Sequence, residues 1–590
     1  MQYSPIEKGK TSVSISFCNF MKNDKNIILL LWYIMASTEG DQAVFDRSMS
    51  GGKTNSPFLN KQWVSLPDTS NGSYRSNQSI FQTQAIANSQ NWADYRNGFI
   101  AMPLVYTLTG SSVVAGNTSL DYAIVPKNSY LHMIHSCQVQ LGATAVASQV
   151  NFSNIFNCFK LLTSLNICDV MSYGSTIGFY PDTALAVGFT DTNNIGTANN
   201  RNIASSTPAV AGLSVGEPMN QGMLKRAQYI NYNPTATSPA GSAYSTMLTG
   251  TACNNLYKSY VYTNLAAVKQ ICVMAIIRLR DLHSFFNEIP ICKNTQMTIT
   301  LGLNQTIANV GVAADVLTLN SVNNPLGGTT PFMVAAATAG NGADTLGNGT
   351  FDASVYVGNQ VQSQAQITAG ALASPLMNQC VLWVPTYVFD STVEQAYLSS
   401  PVKRIMYTDI QSFTVPSIAP NAGFRQLISS GIAGLKSVLT VPYYSQGLTA
   451  TGNRLSTTCL LSPFDSAGGT TSPFALLNNY NVQISGTPVL IDNLSYTYQT
   501  FLQQFYGCNS YNAGSQYGLG GDGLISQNDF ETAYCFHYVN VSRMPSFDVS
   551  VPKSVSILGS NQCSRALDLL VFTEFGMSIE LNVLTGIRTA

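Results

Sequence analysis

The chain has 590 residues, of which only 10% are charged, and its 28 basic and 29 acidic side chains leave a formal charge of -1. That balance excludes the clustered Lys and Arg of a phosphate-binding surface and gives copies of the chain little mutual repulsion. An apolar share of 45% is enough for two or three domains with real cores.

In chain order, the first feature is the apolar run Ile27 to Met35 (IILLLWYIM), preceded by Lys22 and Lys25 and followed by Ala36-Ser37. It loosely imitates a signal peptide and is about half the length of a membrane-spanning helix. Met35-Ala36-Ser37-Thr38 offers an alternative start, so residues 1–34 are expected to be a start-site extension or leader outside the fold. Residues 35–95 are polar and turn-rich and read as an N-terminal arm. Within them, Ser50-Gly51-Gly52-Lys53-Thr54 resembles the end of a phosphate-cradling loop, but Arg47 replaces its first glycine and no hydrophobic strand leads in.

From there period-two alternation dominates. Cys137, Val139 and Leu141 alternate with polar residues, as do Met297, Ile299, Leu301 and Leu303, then Phe547, Val549 and Val551, then Met577, Ile579, Leu581 and Val583. One apolar and one polar face is the pattern of half-buried antiparallel strands. Helical spacing is short and sits between strands. Ile155, Phe156, Phe159 and Leu162 mark a helix over Asn154 to Leu165, Leu282 to Asn287 a turn ended by Pro290, and Tyr498, Phe501, Leu502 and Phe505 a helix stopped by Gly507. Two stretches, 176–250 and 305–375, are dense in small polar residues and are expected to be long loops outside the core. The expected domain joint is Pro416-Ser417-Ile418-Ala419-Pro420. No internal repeat is visible.

No chemistry-bearing constellation emerges, so no catalytic residue, cofactor or metal site is expected. Gly212-Leu213-Ser214-Val215-Gly216 matches the nucleophile-elbow pattern, but it lies in a Ser/Thr/Ala-rich loop with Pro218 close behind, not between a strand and a helix. His132 and His135 fall in the strand expected over Tyr130 to Leu141, where they point to opposite faces; they, His283 and His537 read as structural. Glu394 and Asp409 adjoin apolar sequence and are expected to bond locally. The 12 cysteines are scattered singly, never as C-x-x-C, which suits buried free thiols better than disulfides or zinc. Sequons such as Asn71, Asn117, Asn304 and Asn540 are those a chain rich in Asn, Ser and Thr has by chance.

Three segments carry a family resemblance: Ala275-Ile276-Ile277-Arg278-Leu279-Arg280-Asp281-Leu282-His283-Ser284-Phe285-Phe286 with Glu288-Ile289-Pro290 and the strand Gln296 to Leu303; Cys380 to Asp390 with Glu394, Tyr397 and the strand Lys403 to Val415; and Val541-Ser542-Arg543-Met544-Pro545 through Ala566 to Phe572 and on to Gly586. Together they resemble the major capsid proteins of the double jelly-roll DNA viruses, on the virophage and polinton-like side; Gln395 stands where the large nucleocytoplasmic viruses have arginine. The resemblance implies an all-β chain of two eight-stranded antiparallel sandwiches, residues 96–415 and 421–590, with the second segment ending the first sandwich. It also implies homotrimeric pseudo-hexagonal capsomers in an icosahedral virion shell assembled inside the infected host cell, with penton and minor capsid proteins as partners. The competing class is a secreted or surface β-sandwich adhesin or fibre protein; a serine hydrolase through Ser214 is the third.

Overall fold

The computed structural model describes residues 57–182 (71 and 110–121 excepted), 222, 225–226, 260–265, 268–313, 316–336, 349–358, 379–445, 459–463, 477–490, 496–509, 524–532, 534, 536–541, 551–563 and 565–589. Its first eight principal strands are β1 (Phe58–Pro67), β2 (Gln78–Gln82), β3 (Phe99–Thr109), β4 (Ile134–Leu141), β5 (Thr144–Ala147), β6 (Val268–Arg278), β7 (Met297–Leu303) and β8 (Val381–Phe389). They form one sheet in the order 1-8-3-6 and a second in the order 2-7-4-5. Eight more follow: β9 (Val402–Ile418), β10 (Gly423–Ile432), β11 (Leu435–Tyr444), β12 (Leu477–Ile484), β13 (Thr487–Pro488), β14 (His537–Asn540), β15 (Lys553–Asn561) and β16 (Leu567–Asn582). Their sheets run 9-16-11-14 and 10-15-12-13, the first arrangement with eight added to every number. Two copies of one strand order, each the two-sheet Greek-key arrangement of a jelly roll, make the chain a double jelly roll.

Side-chain alternation explains most of these strands. Val555, Ile557 and Gly559 of β15 are buried while the residues between them are half-exposed, and Met297, Ile299 and Leu301 of β7 are buried between Thr298 and Thr300. The first half of β16 is buried at every position, because its outer face is covered as well as its inner one.

The helices lie in the connections. α1 (Ser153–Ser164) and α2 (Ile167–Ile177) fall between β5 and β6, α3 (Leu279–Leu282) and α4 (Phe285–Glu288) between β6 and β7, α5 (Ser391–Leu398) between β8 and β9, and α6 (Tyr498–Asn509) and α7 (Gln527–Thr532) between β13 and β14. α2 starts on a reciprocal box between Asn166 and Asp169 and ends at Gly178, whose φ of 64° and close approach to the Tyr130 ring suit glycine alone.

Three expectations are corrected. Residues 35–95 are not all arm, since β1 and β2 lie in them and join the two sheets of the first sandwich. Pro416 does not end a domain, because β9 runs through it and pairs with β16 from Val402↔Asn582 to Ile418↔Leu567. β9 is an edge strand whose register slips between Val415 and Ile418, so proline's missing N–H breaks no ladder, and Ser417 N–H donates to Asp568 instead (2.6 Å). The Lys403 to Val415 strand therefore opens the second sandwich and does not close the first. Thirdly, the 305–375 stretch is not all loop. Thr306–Ala313, Val316–Asn323 and Gly349–Val357 extend the sheet of β3, while Phe332–Ala336 pairs with Tyr122–Pro126. Small polar side chains hold these ladders: Asn309 donates to Asp352 (2.7 Å) and Asn320 to Asn309 (2.9 Å). Residues 337–348 and 359–378, like nearly all of 183–259, lie outside the described residues.

Tertiary contacts divide the chain into two units. The smaller, Met1–Lys61 with Tyr387–Ser399, holds an aromatic group in which Phe58 lies 4.5 Å from Tyr387 and 5.2 Å from Phe389, ring centre to ring centre. In it Asp390 caps α5 by accepting from Thr392 N–H (3.0 Å), and Glu394 sits in the first turn of that helix. The larger, Gln62–Thr386 with Ser400–Ala590, holds the rest of the first sandwich, all of the second and the contacts described below.

Candidate functional site

Aromatic, ionic and hydrogen-bonding side chains gather at the seam between the sandwiches. α1 is buried at ten of its twelve positions, more than one apolar stripe requires, because it serves two cores. Phe156 meets Phe572 of β16 at 5.5 Å, and Phe159 meets Phe536, Tyr538 and Phe505 at 4.9, 5.6 and 6.3 Å. Lys160, on the same helix, pairs with Glu574 of β16 at 3.1 Å. Burial pushes the Glu574 carboxyl up, but the Lys160 ammonium and donors including the Ser437 hydroxyl outweigh it and hold the group below its ordinary range.

A second contact joins the α3–α4 turn to β9. The Ser284 hydroxyl donates to Thr408 C=O (2.5 Å) and accepts from Thr408 N–H (2.9 Å), which closes part of an exposed sheet edge. His283 Nδ1 accepts from Phe285 N–H (3.2 Å), so Nε2 carries the proton and donates to Asp409 (3.2 Å). Asp409 also accepts from Ile410 N–H and Ser148 N–H. A third contact is made by residues 459–463: Lys127, fully buried, donates to Ser462 C=O (2.8 Å), Thr330 N–H to Leu460 C=O and Val334 N–H to Pro463 C=O.

Between the first two contacts lies a cavity of about 560 Å3 whose walls include Arg96, Lys160, Tyr173, Arg278, Asp281 and Glu574. Four of its charges are paired: Arg278 forks onto Asp281 at 2.6 and 3.0 Å, and Lys160 meets Glu574 at 3.1 Å. The arrangement fastens two sandwiches together and does not converge on a reacting atom. Ser284, His283 and Asp409 share the residue types of a catalytic triad, yet both imidazole nitrogens are engaged elsewhere and neither is left to take the serine proton.

The other candidates disperse. Ser214 and the Ser50–Thr54 stretch lie outside the described residues. His132 Nδ1 meets the Asn154 amide (3.1 Å), His135 packs edge-on to Phe152, and His537 stands between Tyr480 and Tyr496. Among the described residues no group of three or more His, Cys, Asp or Glu could hold a metal ion, and no helix is long and apolar enough to cross a membrane. Asn304 and Asn540 are buried, so neither sequon is open to glycosylation in the fold. Six described cysteines are free thiols, and burial pushes those of Cys137, Cys292 and Cys380 up to about 12. Sequence reasoning found α1 but not its partners, and it did not pair His283 with Asp409, which lie 126 residues apart.

Acid is expected to loosen this fold through His135. Burial lowers its pKa from 6.5 to about 4. The unfolded chain therefore takes up a proton near pH 6.5 that the native protein refuses until about pH 4. Stability is present above pH 6.5 and falls as pH drops through that window, by about 3 kcal/mol in all. Melting temperature followed from pH 7 to 5 is expected to fall for the wild type and to fall less steeply for His135→Phe; equal slopes would show that His135 is not the group responsible.

No protein-family model and no curated protein matches the chain. Solved structures do. A chain of the Sputnik virophage structure aligns with a TM-score of 0.50 at 12% identity, over 90% of this chain and 88% of that one. The mavirus major capsid protein aligns at 0.42 and 9% identity, over 89% of each chain. The Faustovirus major capsid protein aligns at 0.39 and 10% identity, over 92% and 97%. The likeness is one of fold, and it spans both sandwiches.

Proposed function

We propose that the chain is a viral major capsid protein, a structural subunit of a virion shell without turnover of its own. The observation that carries this reading is the fusion of two jelly rolls of identical strand order, β1–β8 and β9–β16, in a fold shared with the Sputnik virophage chain along nearly its whole length. Two like sandwiches per copy let three copies present six, so a homotrimer tiles as a pseudo-hexagon. The seam suits that use, since a tile must keep its halves in fixed relation. The near-neutral surface lets tiles approach, and penton and minor capsid proteins are the further partners.

A trimer with permanent contacts buries several thousand Å2 and persists on dilution. Mass photometry of the purified full chain is expected to give a species near three times 63.4 kDa at nanomolar concentration, with hexagonal arrays or particles in the electron microscope. A monomer at micromolar concentration and no arrays would overturn the reading.

A further inference from the structure

The outer face of β9 and β16 changes character along its length. At Phe572 and Glu574 it is covered by Phe156 and Lys160 of α1. Where the same face continues through Ser578 and Glu580, with Val402, Arg404 and Met406 beside them, it is exposed, while Ile405, Ile579 and Leu581 point the other way and are buried. The ladder register arranges this open face in rows. Val402 stands opposite Asn582, whose N–H donates to Ile587 C=O (3.0 Å); Arg404 stands opposite Glu580; Met406 stands opposite Ser578. Two apolar side chains, Met406 at 66% exposure and Ile587 at 64%, flank a central row of one cation and one anion. Arg404 and Glu580 form no ion pair with each other or with any described residue.

We propose that this face docks a second copy of the chain across a two-fold axis that runs parallel to β9 and β16, in the plane above the sheet and over the gap between the two strands. Such an axis lays Glu580 on the partner's Arg404 and Arg404 on the partner's Glu580, so one uncommitted pair becomes two ion pairs. Self-complementarity of this kind is the mark of an isologous contact. A lipid surface or an apolar peptide would instead strip water from the central charges and return nothing. The face also continues the seam, so the second copy extends an interface the chain already uses against itself. The contact is distinct from that of the proposed trimer, which is heterologous, and rests on self-association alone.

Charge reversal on the full chain tests it. Sedimentation velocity over a concentration series should show a two-fold association step beyond the trimer in the wild type. Arg404→Glu and Glu580→Arg each place like charges face to face and should weaken that step by at least about tenfold, whereas the double reversal R404E/E580R should restore it to within about threefold. Both sites are exposed, so the variants should match the wild type in circular dichroism, with each single reversal melting only slightly lower because it also sets like charges across one strand pair. A wild type with no two-fold step up to about 100 μM, single reversals that associate like the wild type, or a double reversal as weak as the singles would each overturn the proposal. Loss of the trimer counts against the capsid reading alone, because the reversals then read a monomer–dimer step.

Discussion

Phe159→Ala is expected to uncouple the two sandwiches. The Phe159 ring is fully buried and meets three aromatic rings of the second sandwich while rooted in a helix of the first. Its removal leaves a hole between two rigid layers that cannot collapse without moving one of them, so the cost should lie at the upper end for a core aromatic, about 3–5 kcal/mol. That loss falls on the coupling between the layers and not within either sheet pair, whose ladders are untouched. Calorimetry of the full chain should therefore show the wild type unfolding with its sandwiches coupled, and the variant with an earlier, separate transition. Cys563, buried in the β15–β16 connection and in none of the seam contacts described above, provides the control: Cys563→Ser should shift the profile without splitting it. If Phe159→Ala melts as the wild type does, the aromatic group is not what joins the sandwiches.

The same geometry explains what the sequence could and could not disclose. Strands with one wet face, such as β7 and β15, announce themselves by alternation. The Leu567 to Glu574 half of β16 does not, because α1 covers its outer side and both faces are buried. Pro416 misled because proline punctuates most chains, yet at a bulge on an edge strand it costs nothing. The 306–357 strands were hidden because their buried apolar residues, such as Val310, Phe351 and Val355, are set among Asn, Thr, Ser and Gly, whose density reads as loop. The repeat itself was invisible for a deeper reason. Strand order is set by which residues point inward and by where turns fall, and both can be met by unrelated side chains, so one topology appears twice without a shared sequence. At the seam, Phe159 lay inside a recognised helix, but only burial on nearly every side marks it as shared between cores. The partners His283 and Asp409 come from separate sandwiches, and no local spacing encodes such a meeting.

Asp182→Ala should be as damaging as the loss of Phe159, for an electrostatic reason. Arg226 belongs to the polar stretch read from sequence as an excursion, yet its guanidinium is almost wholly buried. It donates to Asp182 at 2.5 Å, to Tyr180 C=O and to Met333 Sδ at 3.8 Å. Gly222, one turn earlier, lies so close to Pro181 that no Cβ fits. The pair also reaches both halves of the chain: burial foremost, and then the charge of Asp182, raise the pKa of Tyr534 in the second sandwich and of Cys158 on α1. Taking away the carboxylate strands a cation in this apolar surround, which costs about 3–5 kcal/mol for a buried pair. Replacing both partners, as in Asp182→Leu with Arg226→Met, removes the charge and the need for it together, and should recover most of that loss or improve on the wild type. A double-mutant cycle read by thermal unfolding separates the two cases. The coupling is expected to be large, with each single variant worse than the double. Additive effects would mean that Arg226 is held by packing alone and that its pairing with Asp182 contributes little.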